Sequence, residues 1–172
     1  MNHAQEFVIL VDANDVQTGV AEKMEAHQKA LLHRAFSVFI FNLKGEMLIH
    51  QRAMEKYHSG GKWTNACCGH PRPNETTAEA ASRRLKEEMG FTCMLDEKFS
   101  FTYKAELDHQ LSEHEIDHVF FGQFEGDPLP DSNEVMSYKW VSIATLKQDV
   151  ELNPGSYTTW FKICLDEVLS KI

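Results

Sequence analysis

Three sets of side chains in this sequence have the types and spacing to do chemistry. The first is His27, His33 and His70 together with Glu113 and Glu115, which stand in Ser112-Glu113-His114-Glu115-Ile116-Asp117. On a strand, residues i and i+2 share a face, so Glu113 and Glu115 would project together about 7 Å apart, with His114 and Ile116 turned away. Three imidazoles and two carboxylates suit a divalent ion with five or six ligands better than a closed tetrahedral zinc site. The chain has 9 histidines, and Glu-x-Glu on a strand is often a solvated face, so the set is a candidate that only a fold can assemble. The second set is Arg83-Arg84-Leu85-Lys86-Glu87-Glu88. On a helix Glu87 lies one turn beyond Arg83 and Glu88 one turn beyond Arg84. Carboxylate oxygens there could carry Mg2+, which completes its shell with substrate phosphates, and the planar guanidinium matches phosphate oxygens. The same string could instead be surface ion pairs worth a few tenths of a kcal/mol each. The third set is the 4 cysteines, Cys67, Cys68, Cys93 and Cys164. Adjacent cysteines seldom form a relaxed disulfide and no Cys-x-x-Cys pair occurs, so free thiols are expected, as in a cytoplasmic protein.

These side chains need elements to hold them. Glu6 to Asp12 reads as a strand ended by the turn at Ala13-Asn14-Asp15. Phe36 to Asn42 and Glu46 to His50 flank Leu43-Lys44-Gly45 as a hairpin. A Gly-rich stretch, Lys56 to Lys62, leads into Trp63 to His70. Thr76 to Met89 is the clearest helix: Thr76 and Glu79 form a capping box, Ala78, Ala81, Leu85 and Met89 make its apolar stripe, and Gly90 closes it. Lys98 to Glu106, Ile116 to Phe124 and Val135 to Ile143 are further strands, with Pro128 and Pro130 in the loop before the last. Pro154-Gly155 precedes a terminal helix whose stripe includes Trp160, Phe161, Cys164 and Val168. A mixed α/β domain, with strands outnumbering long helices, is predicted over residues 1–172, with Met1 to Gln5 and the end beyond Leu169 loosely held.

Length and charge exclude whole classes. At 172 residues the chain is one domain's worth with room for a core. With 26 acidic and 17 basic residues the formal charge is -9, which argues against nucleic acid as a partner, because phosphate contacts need a basic face. An anionic ligand must therefore be held by a few focused cations or by metal. No apolar run approaches the length of a membrane span, and no secretion signal is expected. A monomer is expected.

The segment from Gly69 reads Gly, five residues, Glu75, seven residues, then Arg83-Arg84-Leu85-Lys86-Glu87-Glu88-Met89-Gly90-Phe91. It resembles the Nudix box, the loop–helix signature of a superfamily acting on diphosphate-linked substrates, except that Arg84 stands where the pattern has glutamate. In Nudix hydrolases that glutamate helps carry the metal that activates water, so the substitution weighs against hydrolysis; a Nudix-type diphosphate hydrolase remains the alternative. In order along the chain come His27, Leu31 to Phe39, Gln51-Arg52, Trp-Thr-Asn-Ala-Cys-Cys-Gly-His-Pro at Trp63 to Pro71, Tyr103, Glu113 to Glu115, and Trp160. Together these resemble the type 1 isopentenyl-diphosphate isomerases, over about Glu6 to Trp160.

The resemblance implies a Nudix fold, a mixed sheet flanked by helices, and a 1,3-allylic proton shift between isopentenyl and dimethylallyl diphosphate. It implies Cys68, Glu115 and Tyr103 as catalytic residues, and His27, His33, His70, Glu113 and Glu115 as ligands of one divalent metal (Mg2+, Mn2+ or Zn2+). A substrate-linked Mg2+ would sit at Glu88 and the backbone carbonyl of Cys68. Arg52, Lys56 and Arg84 match anion-binding positions, and Lys23 is a further candidate. Trp160 would stand beside the isoprenoid end, where an aromatic face attracts a cation by roughly 0.5–2 kcal/mol; Trp63 is expected to pack the loop or line the pocket. An alkene is a poor base, so the reaction needs a local acid, an opposed base and a site that excludes water. Glu115 with Tyr103 is the expected donor and Cys68 the acceptor, with the reverse equally compatible.

Overall fold

The computed structural model describes residues 6–172; the expectation for Met1 to Gln5 falls outside them. The described chain runs β1 (Phe7–Val11), β2 (Gln17–Glu22), α1 (Lys23–Gln28), β3 (His33–Phe41), β4 (Met47–Arg52), β5 (Trp63–Thr64), β6 (Cys67–Gly69), α2 (Thr77–Met89), β7 (Leu95–Glu106), β8 (Ser112–Gln123), β9 (Val135–Val141), α3 (Ile143–Leu152) and α4 (Thr159–Ser170). Among the described residues the nine strands form one mixed sheet. Strand β3 is its axis. It pairs in parallel with β8 along its whole length, from His33↔Glu115 to Phe41↔Gln123. It also meets β1 at Leu10↔His33, β6 at Ser37↔Cys68 and β4 at Ile40↔Leu48. Strand β7 lies antiparallel on β8, and β9 on β4.

The near-continuous apolar run of β3 follows from burial on both faces. Phe36, Val38 and Ile40 point to one side, into a core shared with Ala80, Ala81, Leu85 and Met89 of α2. Phe39 points to the other, against Phe161, Cys164 and Val168 of α4. Helix α2 starts and stops where the sequence predicts. Thr76 accepts from the Glu79 amide while Glu79 reaches back to Thr76, and Gly90 takes φ 76° at the C-terminal end. A Cβ on Gly90 would stand 2.3 Å from the Leu129 carbonyl oxygen.

Several elements depart from the expectations. β2 and α1 were not predicted: β2 has little apolar alternation, and α1 is six residues, too short to persist alone. Glu22 caps α1 by accepting from Glu25 N–H, and packing of Ala26 and His27 holds it in place. β8 begins at Ser112, four residues before the predicted start, because its first residues bury carboxylates and so lack an apolar pattern. The final predicted strand stops at Val141, where Ser142 caps α3. The last helix continues to Ser170. No helix among the described residues is long and apolar enough to cross a membrane.

Candidate active site

Strand parity assembles the site on one face of the sheet. His33 and Ser37 of β3, Glu113, Glu115 and Asp117 of β8, Tyr103 of β7 and Cys68 of β6 share that face through the pairs His33↔Glu115, Tyr103↔Glu115 and Ser37↔Cys68. Cys67, one residue away, faces α2 and is fully buried in its core. Cys68, Tyr103, Glu113 and Glu115 line one cavity of about 430 Å³ with Trp160, Arg52, Lys56, Lys23, Arg84 and Glu88. Trp63 is not among its walls; Lys139 lies over its ring at 4.4 Å, so packing is its role.

The three imidazoles and two carboxylates converge behind this cavity. One ligand atom from each of His27, His33, His70, Glu113 and Glu115 lies within 4.8 Å of every other. Divalent ions of this class bond at roughly 2.0–2.2 Å, which sets opposed ligands roughly 4–4.5 Å apart, so the cluster has the size of a coordination shell. Its donors are oriented for that use. His27 Nδ1 donates to the Lys23 carbonyl at 2.7 Å and His33 Nδ1 to the Leu31 carbonyl at 2.7 Å, which turns each Nε2 lone pair inward. His27 Nε2 and Glu113 Oε2 are buried without a hydrogen-bond partner, and they face each other at 3.6 Å. A divalent cation held between them would satisfy both. His70 Nε2 stands 2.8 Å from Glu115 Oε1, and His33 Nε2 3.3 Å from the same oxygen.

Glu115 divides its two oxygens: Oε1 faces the histidines, and Oε2 accepts a 2.8 Å bond from the Tyr103 hydroxyl. Burial pushes both cage carboxyls up. Glu113 stays raised through that burial and the neighbouring Glu115 charge, whereas Glu113 and His33 beside it bring Glu115 below the usual carboxylate range. Burial pushes the Cys68 thiol well up, partly opposed by Arg52.

A cationic cradle borders the other side of the cavity. Arg84 of α2 pairs with Glu88 and, at 2.7 Å, with Glu87. Glu88 is turned inward and 6% exposed; burial raises its pKa although Arg84 opposes. Arg83 instead makes a two-pronged pair with Glu75, at 2.7 and 2.8 Å, which fixes the loop before α2. Gly69 packs under the Phe36 ring: a Cβ there would lie 3.1 Å from that ring, whereas Arg84 Cγ, at 3.6 Å, would be in ordinary contact. Lys23 pairs with Glu6 at 2.7 Å, and the Arg52 guanidinium sits 5.2 Å from the centre of the Trp160 ring.

The structure also brings in residues that sequence reasoning missed. Asp117 is buried, with Ser37 Oγ donating to Oδ2 at 2.8 Å and Oδ1 unpartnered. Continuing the two-residue period from Glu113 and Glu115 was a signal for it. Glu134, from the loop before β9, bonds Lys56 and stands 3.5 Å from Arg84. His58, in the Gly-rich loop, is 4% exposed between Glu113 and Trp160. No local pattern marks the last two.

A NUDIX domain family model matches residues 31–161. The chain is 50% identical over 166 residues to isopentenyl-diphosphate Delta-isomerase 1 of Aromatoleum aromaticum, covering 96% of this chain and 94% of that one. It is 51% identical over 156 residues to the isopentenyl-diphosphate Delta-isomerase of Pectobacterium atrosepticum, covering 91% and 87% respectively. Among solved structures, a Deinococcus radiodurans protein superposes with TM-score 0.72 at 17% identity over 86% of this chain and 90% of that one. A MutT protein from Methanosarcina mazei superposes with TM-score 0.64 at 24% identity, over 79% and 91%. These structural likenesses speak to the fold, whereas the sequence relatives match nearly end to end: the chain is a member of the isopentenyl-diphosphate Delta-isomerase family, built on a NUDIX domain.

Proposed function

We propose that this chain interconverts isopentenyl and dimethylallyl diphosphate by moving a proton on and off a five-carbon chain held between Cys68 and Glu115. The observation that carries the reading is one cavity walled by a thiol and by a tyrosine-backed carboxylate, with a cationic cradle at its edge. The diphosphate lies against Arg84, Arg52, Lys56 and Lys23, which focus positive charge within an acidic protein. Their grip sets the hydrocarbon end toward Trp160 and away from water. Protonating the terminal alkene carbon leaves a tertiary cation, which the indole face stabilises by roughly 0.5–2 kcal/mol. Glu115, with the Tyr103 hydroxyl on its outer oxygen, and Cys68 from the opposite edge of β3 form the acid–base pair. The shift is reversible, so each group gives a proton in one direction and takes one in the other.

His27, His33, His70, Glu113 and Glu115 would hold one divalent metal, Mg2+, Mn2+ or Zn2+, and Glu88 with the Cys68 carbonyl would hold a Mg2+ that arrives with the diphosphate. When bound, these ions supply positive charge that tunes Glu115 and neutralises phosphate oxygens. The chain functions as a single domain, since β3, β6, β7, β8, α2 and α4 all contribute to one site. The four unpaired thiols support a cytoplasmic setting, and we assign a monomer of 19.7 kDa, checked by sedimentation.

Purified protein incubated with isopentenyl diphosphate, Mn2+ and Mg2+ in deuterated water should produce deuterium-labelled dimethylallyl diphosphate by NMR. Phosphate release without allylic product would instead favour hydrolysis, a reading that gives Cys68 no role and lacks a carboxylate at Arg84.

A further inference from the structure

Each of the two cage carboxylates uses its oxygens differently. Glu115 aims Oε1 at His33 and His70 and takes the Tyr103 hydroxyl on Oε2. Glu113 aims its unpartnered Oε2 at His27, and its other oxygen, Oε1, lies 3.5 Å from Nε2 of His58. We propose that His58 is a positioning residue for the metal cage: its Nε2, in contact with Glu113 Oε1 at 3.5 Å, bears on Glu113 from outside the cage, on the side away from His27.

The surroundings of His58 fit that role. Its Nδ1 lies 3.3 Å from the Ser59 hydroxyl, which can donate to it and leave the proton on Nε2, toward Glu113. Ser59 is itself pinned, its amide donating to Asp108 at 3.3 Å, and it sits at φ 53°, left-handed for a non-glycine residue. Backbone in that region persists where its surroundings over-determine it, and such positions cluster at functional sites. The His58 carbonyl accepts from Arg52 at 3.2 Å, and its ring stands edge-on to Trp160 with centroids 5.6 Å apart. One side chain in the Gly-rich loop thus touches the cage carboxylate and the aromatic wall, and its backbone touches a cradle cation. Partners that orient metal ligands from outside the coordination shell typically change metal affinity or activity 10–100-fold when lost.

The inference rests on the cage holding a divalent ion, and the test separates the two claims. Mn2+ affinity is measured without substrate, by the electron-paramagnetic signal of free Mn2+, for wild type, His58→Phe and His58→Gln. Phe keeps a ring against Trp160 but has no donor; Gln keeps an N–H donor but loses the ring. The expected result is Mn2+ binding at least about 10-fold weaker in His58→Phe, with His58→Gln recovering most of the wild-type affinity. Wild-type affinity in His58→Phe, equal loss in both variants, or greater loss in Gln would overturn the role and leave His58 as loop packing. Failure of the wild type itself to take up Mn2+ would overturn the cage and the inference together.

Discussion

At the scale of single residues, direction counts for as much as identity. Cys67 and Cys68 are the same residue type one position apart, yet antiparallel pairing with β3 sends the first into the α2 core and the second into the cavity. Cys68→Ala is therefore expected to lower kcat by at least about 10²-fold, the usual scale for losing a proton-transfer group. Cys67→Ala should leave kcat within a few-fold of wild type and cost about 1 kcal/mol of stability. Steady-state kinetics and urea unfolding on both variants check this; equal losses of kcat would reassign the thiol. The same divergence separates Glu87 from Glu88 on α2: one pairs with Arg83 and Arg84 toward solvent, the other is buried at the cradle. The sequence names these residues, but it does not say which of two neighbours faces the substrate until strand pairing and helix seating are known.

At the scale of elements, local chemistry explains the boundaries that were legible. Helix α2 was readable because its cap, stripe and terminal glycine all lie within the helix and its flanks. Gly90→Ala should cost more than about 1 kcal/mol, since alanine at positive φ is strained and its Cβ would meet the Leu129 carbonyl; a Tm close to wild type would contradict this. β2, α1 and the start of β8 were less legible because partners elsewhere in the chain stabilise them. His50 on β4 illustrates a tertiary effect on a single group. It is buried, with Nδ1 3.1 Å from the Ala66 carbonyl, and burial, with Arg52 nearby, depresses its pKa to about 3. The unfolded chain would bind this proton near pH 6.5, so the unfolded state holds more protons as pH falls. The neutral ring's contribution is thus present above about pH 6.5 and lost from there toward pH 3, with a slope of up to about 1.4 kcal/mol per pH unit. Urea unfolding across that range should show this limb in wild type and a shallower one in His50→Gln.

At the scale of the whole molecule, the cage joins α1, the start of β3, the residue that follows β6, and β8 at one point. An ion bound there stabilises the native state alone, because the unfolded chain does not bring five ligands together. At free Mn2+ about 100 times its dissociation constant the gain is about 2.7 kcal/mol, or roughly 5–10 °C in Tm for a chain of this length. Thermal scans with Mn2+ and with chelator should differ by that order, and Glu113→Gln should shrink the difference; identical scans would show that the cage binds nothing.

Composition, the box-like spacing and the ordered motifs from His27 to Trp160 were enough, by themselves, to establish the family, the mixed fold class and the residue types of the chemistry. They sufficed because capping, turn formation and motif spacing are local properties of the chain. Only the tertiary structure decided that Asp117, His58 and Glu134 join the site, that Trp63 packs outside it, and that both oxygens of each cage carboxylate have distinct neighbours. Those facts depend on the register between β3, β6 and β8 and on the path of the Gly-rich loop, where contacts join residues far apart in sequence and a one-residue slip would reverse every side chain.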